Sequence, residues 1–521
     1  MSKQLIIKIK NETSSIFGWI SRDVLDEIDD RLSFKRKGIE YSQKVIDGTW
    51  DGRSHCFSTY YKTFPTGLCK MVCETLDRNH IPWEIEDLRN EPSPTENWKV
   101  ELPPPIALYD FQRETVDLCK DVGRGICSLP TGSGKTMTFS VLIGELNVSP
   151  VIVYVPSLLL LDQTKAVLEK IIRKPDGSPM KVGMIGNGVC DIREINVMTI
   201  QTAITVYDKV YDRNKGCVRD LTREEKAKRK QRKRRSPEDP DRDEDLNFIN
   251  PNRPKIKELI EGAQVVIADE CHRASSAMYQ EVMGNSKSAY YRFAFSATAF
   301  REDNTEILIQ ASFGRKLIDI SCSELIRRGV LVRPYIFSVS VPPESRSKFE
   351  SYQQAKKRCI VESVQRNGLI ADLASRLKDE GPTLLLVTEK RHGRALEQLI
   401  PNSKFIHAGD PKKVKDETIS DMLSGKLPVM IATPIADEGL DLVQLKVLFL
   451  CDAGQSATKL YQRVGRSLRS CPGKDYSIII DFKDTDENLS DHVSDRRHLF
   501  LNEEEFVLID VSQNKWDHIK D

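Results

Sequence analysis

The sequence has no stretch able to cross a bilayer. Its longest apolar run, VIVYVPSLLLL (151–161), is interrupted by Pro156 and Ser157 and falls short of the ~20 residues that a spanning helix requires. Net charge is nearly absent as well: 78 Lys and Arg stand against 77 Asp and Glu, leaving +1, so any basic surface must be local. Of twelve cysteines only Cys69 and Cys73 lie close together. That spacing suits one face of a helix, and the second Cys/His pair of a zinc knuckle is missing. No H-E-x-x-H occurs, so the zinc-protease helix is excluded. Met1-Ser-Lys-Gln runs straight into LIIKIK, and no leader peptide is expected. Scattered thiols suit a reducing, cytoplasmic compartment, with no membrane partner.

What is present is a long, charged, globular chain. At 521 residues it exceeds one ordinary core, and about three domains of ~100–200 residues are expected. Residues 1–98 read as a small α/β module: LIIKIK alternates like a strand, while SRDVLDEIDDRLSF and FPTGLCKMVCETLDRN carry helical periodicity. A proline-rich join, LPPPIALYD, follows. Over 99–335 the apolar runs GICSLP, VIVYVP, INVMTI, VVIADE and YRFAFSAT alternate with helical stretches, the rhythm of a parallel α/β sheet. The rhythm returns over 336–482 in TLLLVTE, SKFIHAG, PVMIATP, VLFLCD and YSIIIDF, after a join near GVLVRPYIFSVSVPP. Residues 483–521 form an extension in which HLFLNEEEFVLID reads as a capping helix. The segment 212–253 holds a basic block followed by an acidic one and too few apolar residues for a core, so a mobile insertion is expected there.

The chemistry starts at SLPTGSGKT (128–136), a strand-to-helix junction. Gly132 and Gly134, with Pro130, Thr131 and Ser133, let backbone N–H groups turn inward around phosphate oxygens. Lys135 reaches the β and γ phosphates of ATP, and the Thr136 hydroxyl holds Mg2+. The strict pattern asks for glycine at position 129, where this chain has Leu129. An enzyme built on such a loop needs a buried strand ending in a magnesium-binding acid, with a second acid to position water. VVIADECHRA (265–274) supplies Asp269 and then Glu270, and His272 is placed to couple the nucleotide to a neighbouring domain.

Around these, Gln112 in YDFQRE has an amide able to meet an adenine edge, although a helix-surface glutamine is the commoner case. Ser296 and Thr298 in FSATAF are placed to relay phosphate state. In the second half, ATPIADEGLDL (432–442) offers Thr433, Asp437, Gly439 and Asp441 at a strand end, with Gly439 and Asp441 assigned to the nucleotide. LYQRVGRSLRS (460–470) offers Gln462, Arg463, Arg466 and Arg469, and on one continuous helix 462, 466 and 469 share a face. A basic helix face is usually just solvated. Behind a phosphate loop it gains weight, because arginine supplied to a γ-phosphate is worth ~10³–10⁵ in rate.

P-T-G-S-G-K-T, D-E-C-H, S-A-T and Q-R-V-G-R-S-L-R, in this order, resemble superfamily 2 helicases and translocases over residues 106 to about 482. The resemblance implies an α/β fold of two tandem RecA-like domains and an ATP- and magnesium-dependent motor. It also implies nucleic-acid contacts at Pro156, Ser157 and Gln163, at Thr199, Gln201 and Thr202, and at His407, Gly409 and Thr433. The W-D-G-R hairpin and P-x-G-L helix start of the N-terminal module resemble the small domain of the recombination helicases of T-even phages. That likeness implies a DNA helicase for forks and Holliday junctions, acting in recombination, repair or replication as a monomer beside other such proteins, in a host cytoplasm if viral. Trp50 and Arg53 then either meet nucleic acid or pack the module. A restriction-type translocase would need a nuclease constellation, which the first hundred residues do not show. An RNA helicase of the D-E-A-D class would carry D-E-A-D where this chain has D-E-C-H.

Overall fold

In the N-terminal module, alternation along β1 (Leu5–Ile9) buries Leu5, Ile7 and Ile9 and turns Ile6 and Lys8 outward, the period of a strand with one covered face. β1 pairs antiparallel with β2 (Thr13–Phe17), which pairs antiparallel with β3 (Thr63–Pro65); β4 (Trp83–Asp87) runs parallel to β1 on its other side. Helices α1 (Arg22–Arg31) and α2 (Cys69–Arg78) cover the buried face with Val24, Ile28, Val72 and Leu76. Truncating Ile28, which has no exposed surface, would cost ~2–5 kcal/mol. The predicted first helix stops at Arg31, and Ser33–Lys35 instead pairs with Arg53–His55 as a two-stranded ribbon. Cys69 and Cys73 sit one turn apart on α2 as free thiols 3.9 Å from each other.

The computed structural model describes residues 4–35, 39, 43–94, 96–207, 209–212, 217–220, 222, 252–271, 277–297, 306–341, 351–407, 409–433, 442–452, 457–484 and 487–511. By contact the chain divides into two compact units, Met1–Leu129 with Gly134–Asp319 and Pro130–Ser133 with Ile320–Asp521. The P-x-G-L signal has a physical cause within the first unit. A Cβ on Gly67 would stand 1.9 Å from the Gln310 carbonyl oxygen in the helix Glu306–Phe313. Only glycine lets the two backbones approach this closely. Ala311 of that helix joins the module's own core.

Eight strands form the main sheet of this unit: β5 (Arg124–Ser128), β6 (Val151–Val155), β7 (Gly183–Gly186), β8 (Val189–Asp191), β9 (Ile195–Thr199), β10 (Val265–Asp269), β11 (Tyr291–Ser296) and β12 (Lys316–Asp319). Their order is β8-β7-β9-β6-β10-β11-β5-β12, parallel throughout except for the β7–β8 hairpin. Every residue of β5, β6, β9, β10 and β11 is buried. Strands covered on both faces read as continuous apolar runs, which is why these five were visible in sequence. Helices α3 (Asp110–Val122), α4 (Lys135–Leu146), α5 (Leu158–Ile171) and α6 (Ile200–Thr205) follow the turns that matter below.

The segment 212–253 is not wholly irregular at its ends: Lys209–Asp212 pairs antiparallel with Cys217–Asp220, and Arg253 opens a helix to Gly262. Its charged centre lies outside the described residues.

The second unit holds seven parallel strands: β13 (Arg333–Ser340), β14 (Thr383–Leu386), β15 (Ser403–Ile406), β16 (Val429–Ala432), β17 (Val447–Leu450), β18 (Tyr476–Lys483) and β19 (Val507–Val511). They are ordered β15-β16-β14-β17-β18-β13-β19. Two expectations fail here. The presumed join 333–340 is an internal strand pairing on both sides, with β18 and with β19. The presumed capping helix ends at Leu501, and the chain returns as the edge strand β19. Backbone N–H and C=O groups on β13 need partners on both sides, and the extension supplies one of them. Among the described residues no helix is long and apolar enough to cross a membrane.

Candidate active site and nucleic-acid surfaces

The phosphate loop leaves β5 at its carboxyl end, where ligands gather in open α/β sheets. The Leu129 N–H donates to the Ser296 carbonyl at 2.9 Å, pinning the start of the loop to β11. Gly132 and Gly134 both take positive φ, +89° and +79°, the left-handed region that glycine enters without penalty. Gly134 caps α4, and a Cβ there would meet the Gln112 side-chain nitrogen at 2.5 Å. Gln112 is fully buried and its amide oxygen accepts from the Tyr109 N–H at 3.0 Å. Its amide therefore caps the start of α3 and packs closely against the phosphate loop at Gly134, a structural task beside the adenine contact expected of it. Tyr109, half exposed at the same helix start, has its ring stacked on Phe111 at 5.7 Å. Sequence reasoning passed over this tyrosine.

Lys135 and Thr136 open α4. The Lys135 ammonium is 3.3 Å from the Leu129 carbonyl oxygen and 3.9 Å from Glu270 Oε1. Parallel pairing of β10 with β11 sets Asp269 opposite Phe295, so both acids and Ser296 arrive at the same end of the sheet. The Ser296 hydroxyl donates to Glu270 Oε2 at 3.4 Å, and the Glu270 N–H donates to Asp269 Oδ1 at 3.0 Å. Glu270 has φ +53°, unusual for a residue with a side chain and typical of strain held at functional sites. Burial pushes the Asp269 carboxyl up to about 7, the adjacent Glu270 charge adds to the rise, and Lys135 opposes it. Two nearly buried carboxylates against one ammonium leave negative charge to be neutralised. A divalent cation bound at Asp269 and the Thr136 hydroxyl suits that deficit. Cys271 is buried and its thiol is pushed up by burial. Among the described residues no group of three or more His, Cys, Asp or Glu could hold a metal alone. His272, Thr298, Gly439 and Asp441 lie outside the described residues.

The nucleic-acid candidates of the first unit converge. β6 and β9 are neighbours, so Pro156–Ser157 and Thr199 leave the same end of the sheet. The Gln201 side chain donates to the Pro156 carbonyl at 3.2 Å, linking the two turns directly. Ser157 caps α5, and Thr199 caps α6 while sharing a 2.9 Å hydroxyl contact with Thr202. Gln163 lies half-buried along α5. In the second unit His407 and Thr433 follow the paired strands β15 and β16. The Gly409 N–H donates to His407 Nδ1 at 3.0 Å, and Thr433 is buried.

One placement differs from expectation, and one pair left open between two readings is seen to pack within the module. The helix Ala457–Ser467 carries Gln462, Arg463 and Arg466 but ends before Arg469. The Val332 N–H takes the Leu468 carbonyl at 2.8 Å and Arg469 bridges Leu331. These contacts draw the backbone out of helical bonding, so Arg469 does not share the helix face of 462 and 466. In the module, Arg53 is engaged with Asp30, Ser33 and the Asp30 carbonyl at 2.9, 2.7 and 2.9 Å. Trp50 is half-buried, with its indole N–H donating to the Arg53 carbonyl at 2.9 Å. Both residues hold the hairpin together.

A polar cluster at the carboxyl ends of β14, β17 and β18 went unread. Arg366 is buried, pairs with Asp484 at 2.9 Å, donates to the Cys451 carbonyl at 2.7 Å and lies 4.7 Å from the Phe482 ring centroid. Lys356 pairs with Asp452 at 3.1 Å, and Asp452 accepts from the Thr388 hydroxyl. His392 is buried and bonded to Asn367 at 3.0 Å; burial, with the Arg366 charge adding, pushes it down to about 3. The signal was the one used for VVIADE: the apolar runs VLFLCD and YSIIIDFKD each close on an acid.

Two family models match this chain in tandem. "Type III restriction enzyme, res subunit" covers residues 96–301 and "Helicase conserved C-terminal domain" covers 366–471. A protein of Sulfolobus islandicus filamentous virus, provisionally named helicase 22, is 29% identical over 44% of this chain and 44% of its own length. The DNA 3'-5' translocase XPB2 of Sulfurisphaera tokodaii is 23% identical over 70% of this chain and 79% of its own. The first two curated relatives are matched over only 44% and 51% of their length. Among solved structures, Dbp5 of S. cerevisiae bound to RNA and ADP BeF3 superposes with a TM-score of 0.50 at 14% identity, covering 79% of this chain and 91% of that one. T4 UvsW covers 98% of this chain and 99% of that chain at 17% identity, with a TM-score of 0.44. Two helicase domains in this order, on two parallel α/β sheets, place the chain in superfamily 2 of the helicases.

Proposed function

We propose that the chain is an ATP-hydrolysing DNA motor that unwinds or branch-migrates forks and four-way junctions. The observation that carries the reading is the buried Asp269 and the partly buried Glu270 beside Lys135 at the mouth of the phosphate loop. Lys135 and the loop N–H groups hold the nucleotide phosphates, with Gln112 bracing the loop. Asp269 and Thr136 hold magnesium, whose chemistry is to neutralise phosphate charge. Glu270 orients the attacking water and accepts its proton, and Ser296 reports its state. Arg466 and Arg469 add positive charge to the transferring phosphoryl group. Gly439, Asp441, His272, Thr298 and Gln462 complete the nucleotide-coupled set.

The strand is gripped through phosphates, without sequence preference, at Pro156, Ser157, Gln163, Thr199, Gln201, Thr202, His407, Gly409 and Thr433. The N-terminal module sets the choice of branched DNA, since a folded surface can distinguish a junction where a charged tail cannot. The test compares ATP hydrolysis stimulated by single strand, duplex, four-way junction and RNA. Stimulation greatest with the junction is expected. Stimulation by RNA alone would replace this reading with an RNA helicase, and by linear duplex alone with a restriction-type translocase.

A further inference from the structure

Five large aromatic side chains are prominently exposed among the described residues, and four belong to the N-terminal module: Phe17 (49%), Trp19 (83%), Tyr60 (84%) and Tyr61 (73%). They occupy two neighbouring segments. The Ile16 N–H donates to the Lys62 carbonyl at 2.9 Å, and the Lys62 ammonium donates back to the Gly18 carbonyl at 2.8 Å. Phe17-Gly18-Trp19 therefore lies beside Tyr60-Tyr61-Lys62 at one end of the sheet. The Tyr60 and Tyr61 rings meet edge to face at 4.8 Å, and the Lys8 ammonium sits 4.8 Å from the Phe17 ring centroid. Large aromatics are rarely left this open, because burying one is worth ~1.5–3 kcal/mol.

The electrostatic setting selects the occupant. Neither Thr13–Arg22 nor Gly52–Cys73 contains a single Asp or Glu, in a chain with 77 of them. Of the basic groups there, Arg53, His55 and Lys70 pair with Asp30, Asp29 and Glu74, and Lys62 lies beside the rings. The Lys8 ammonium is shared with Glu86 at 3.1 Å; exposed ring faces, the Lys62 ammonium and no carboxylate on either segment complement a polyanion that presents flat bases.

We infer that Phe17, Trp19, Tyr60 and Tyr61 form a stacking platform for unpaired bases of a nucleic-acid strand. The inference rests on the proposal that the chain acts on nucleic acid, and it moves the contact from Trp50 and Arg53 to the opposite kind of residue, rings left largely open to solvent. A duplex hides its base faces, so such a platform engages strands only where pairing has opened, at a fork or branch point.

The experiment measures binding of the full chain to a labelled oligothymidine and to an abasic strand of equal length. Trp19→Ala and the double variant Tyr60→Ala/Tyr61→Ala are compared with wild type. Base stacking is worth ~1–3 kcal/mol per base, so each variant is expected to bind the thymidine strand ~5- to 150-fold more weakly. Binding to the abasic strand, and ATP hydrolysis without nucleic acid, should not change. Equal losses on both strands, or none on either, overturn the platform. If wild type binds neither strand, the nucleic-acid reading itself falls along with the platform. Should wild type sediment as a dimer and Trp19→Ala as a monomer, the patch is a self-association surface and the inference is wrong.

Discussion

Replacing Glu270 by glutamine changes one atom of consequence. The side chain keeps its size, and Gln tolerates the left-handed backbone at φ +53° no worse than Glu does. What disappears is a carboxylate 3.9 Å from the Lys135 ammonium, with both side chains largely buried, at 10% and 18% exposure. At an effective dielectric of ~20 the gross attraction across that distance is ~4 kcal/mol, most of it offset by the desolvation of both charges. Losing it frees Lys135 for phosphate, so nucleotide affinity should hold or rise. Hydrolysis loses its general base, a contribution of ~10²–10⁴ in rate, or ~3–5.5 kcal/mol of barrier. Steady-state ATP hydrolysis with single-stranded DNA and titration with a fluorescent nucleotide read the two effects separately. Hydrolysis at the wild-type rate, with binding intact, would remove Glu270 from the chemistry. Weakened nucleotide binding with unchanged turnover would make it a mere structural partner of Lys135.

Lys135→Ala should abolish hydrolysis and weaken nucleotide binding by ~10- to 150-fold, the worth of one charged hydrogen bond; measurable turnover in this variant would mean another cation serves the loop. Arg466→Ala and Arg469→Ala should each lower stimulated hydrolysis by about two orders of magnitude while DNA affinity holds. A collapse of DNA affinity with hydrolysis retained would make them strand contacts. His392 is held neutral, its proton affinity pushed down to about 3 from an ordinary 6.5. Between those values the unfolded chain binds a proton that the folded one refuses, so stability should fall as pH drops below 6.5, by up to ~1.4 kcal/mol per unit. Urea unfolding at several pH values, with His392→Gln as control, checks this: equal slopes in both proteins would refute it.

The elements legible in sequence share one property. β6, β9, β10 and β17 are buried on both faces, and their largely apolar runs end in polar residues at the carboxyl edge of each sheet. The edge elements lack that property. β19, VLIDV, is only partly buried along most of its length, so its pattern does not differ from an amphipathic helix end after HLFLNEEEF. β13 reads as a join because Pro334 interrupts it, and proline gives up a ladder hydrogen bond. Pairing with β18 on one side and β19 on the other overrides that cost.

The site shows the same division between what is local and what is not. Gly132, Gly134, Lys135, Asp269 and Glu270 were readable because a phosphate loop and a strand-end acid pair are short-range patterns. Arg469 was misplaced by a long-range contact, the pairing of 331–332 with 468–469, more than a hundred residues apart in sequence. Trp50 and Arg53 were singled out because a ring and a guanidinium flank a tight turn, yet Arg53 is consumed by Asp30 and Ser33. Exposure, not residue type, separates them from Trp19 and Tyr60. Periodicity could have hinted at this, since β2 alternates with Ser14 and Ile16 inward and places Phe17 outward. An aromatic on the solvent face of a strand has to be explained by what it meets there: Phe17 meets the Lys8 ammonium at 4.8 Å, whereas Trp19 and Tyr60 stay open, and it is on them that the base-stacking test turns.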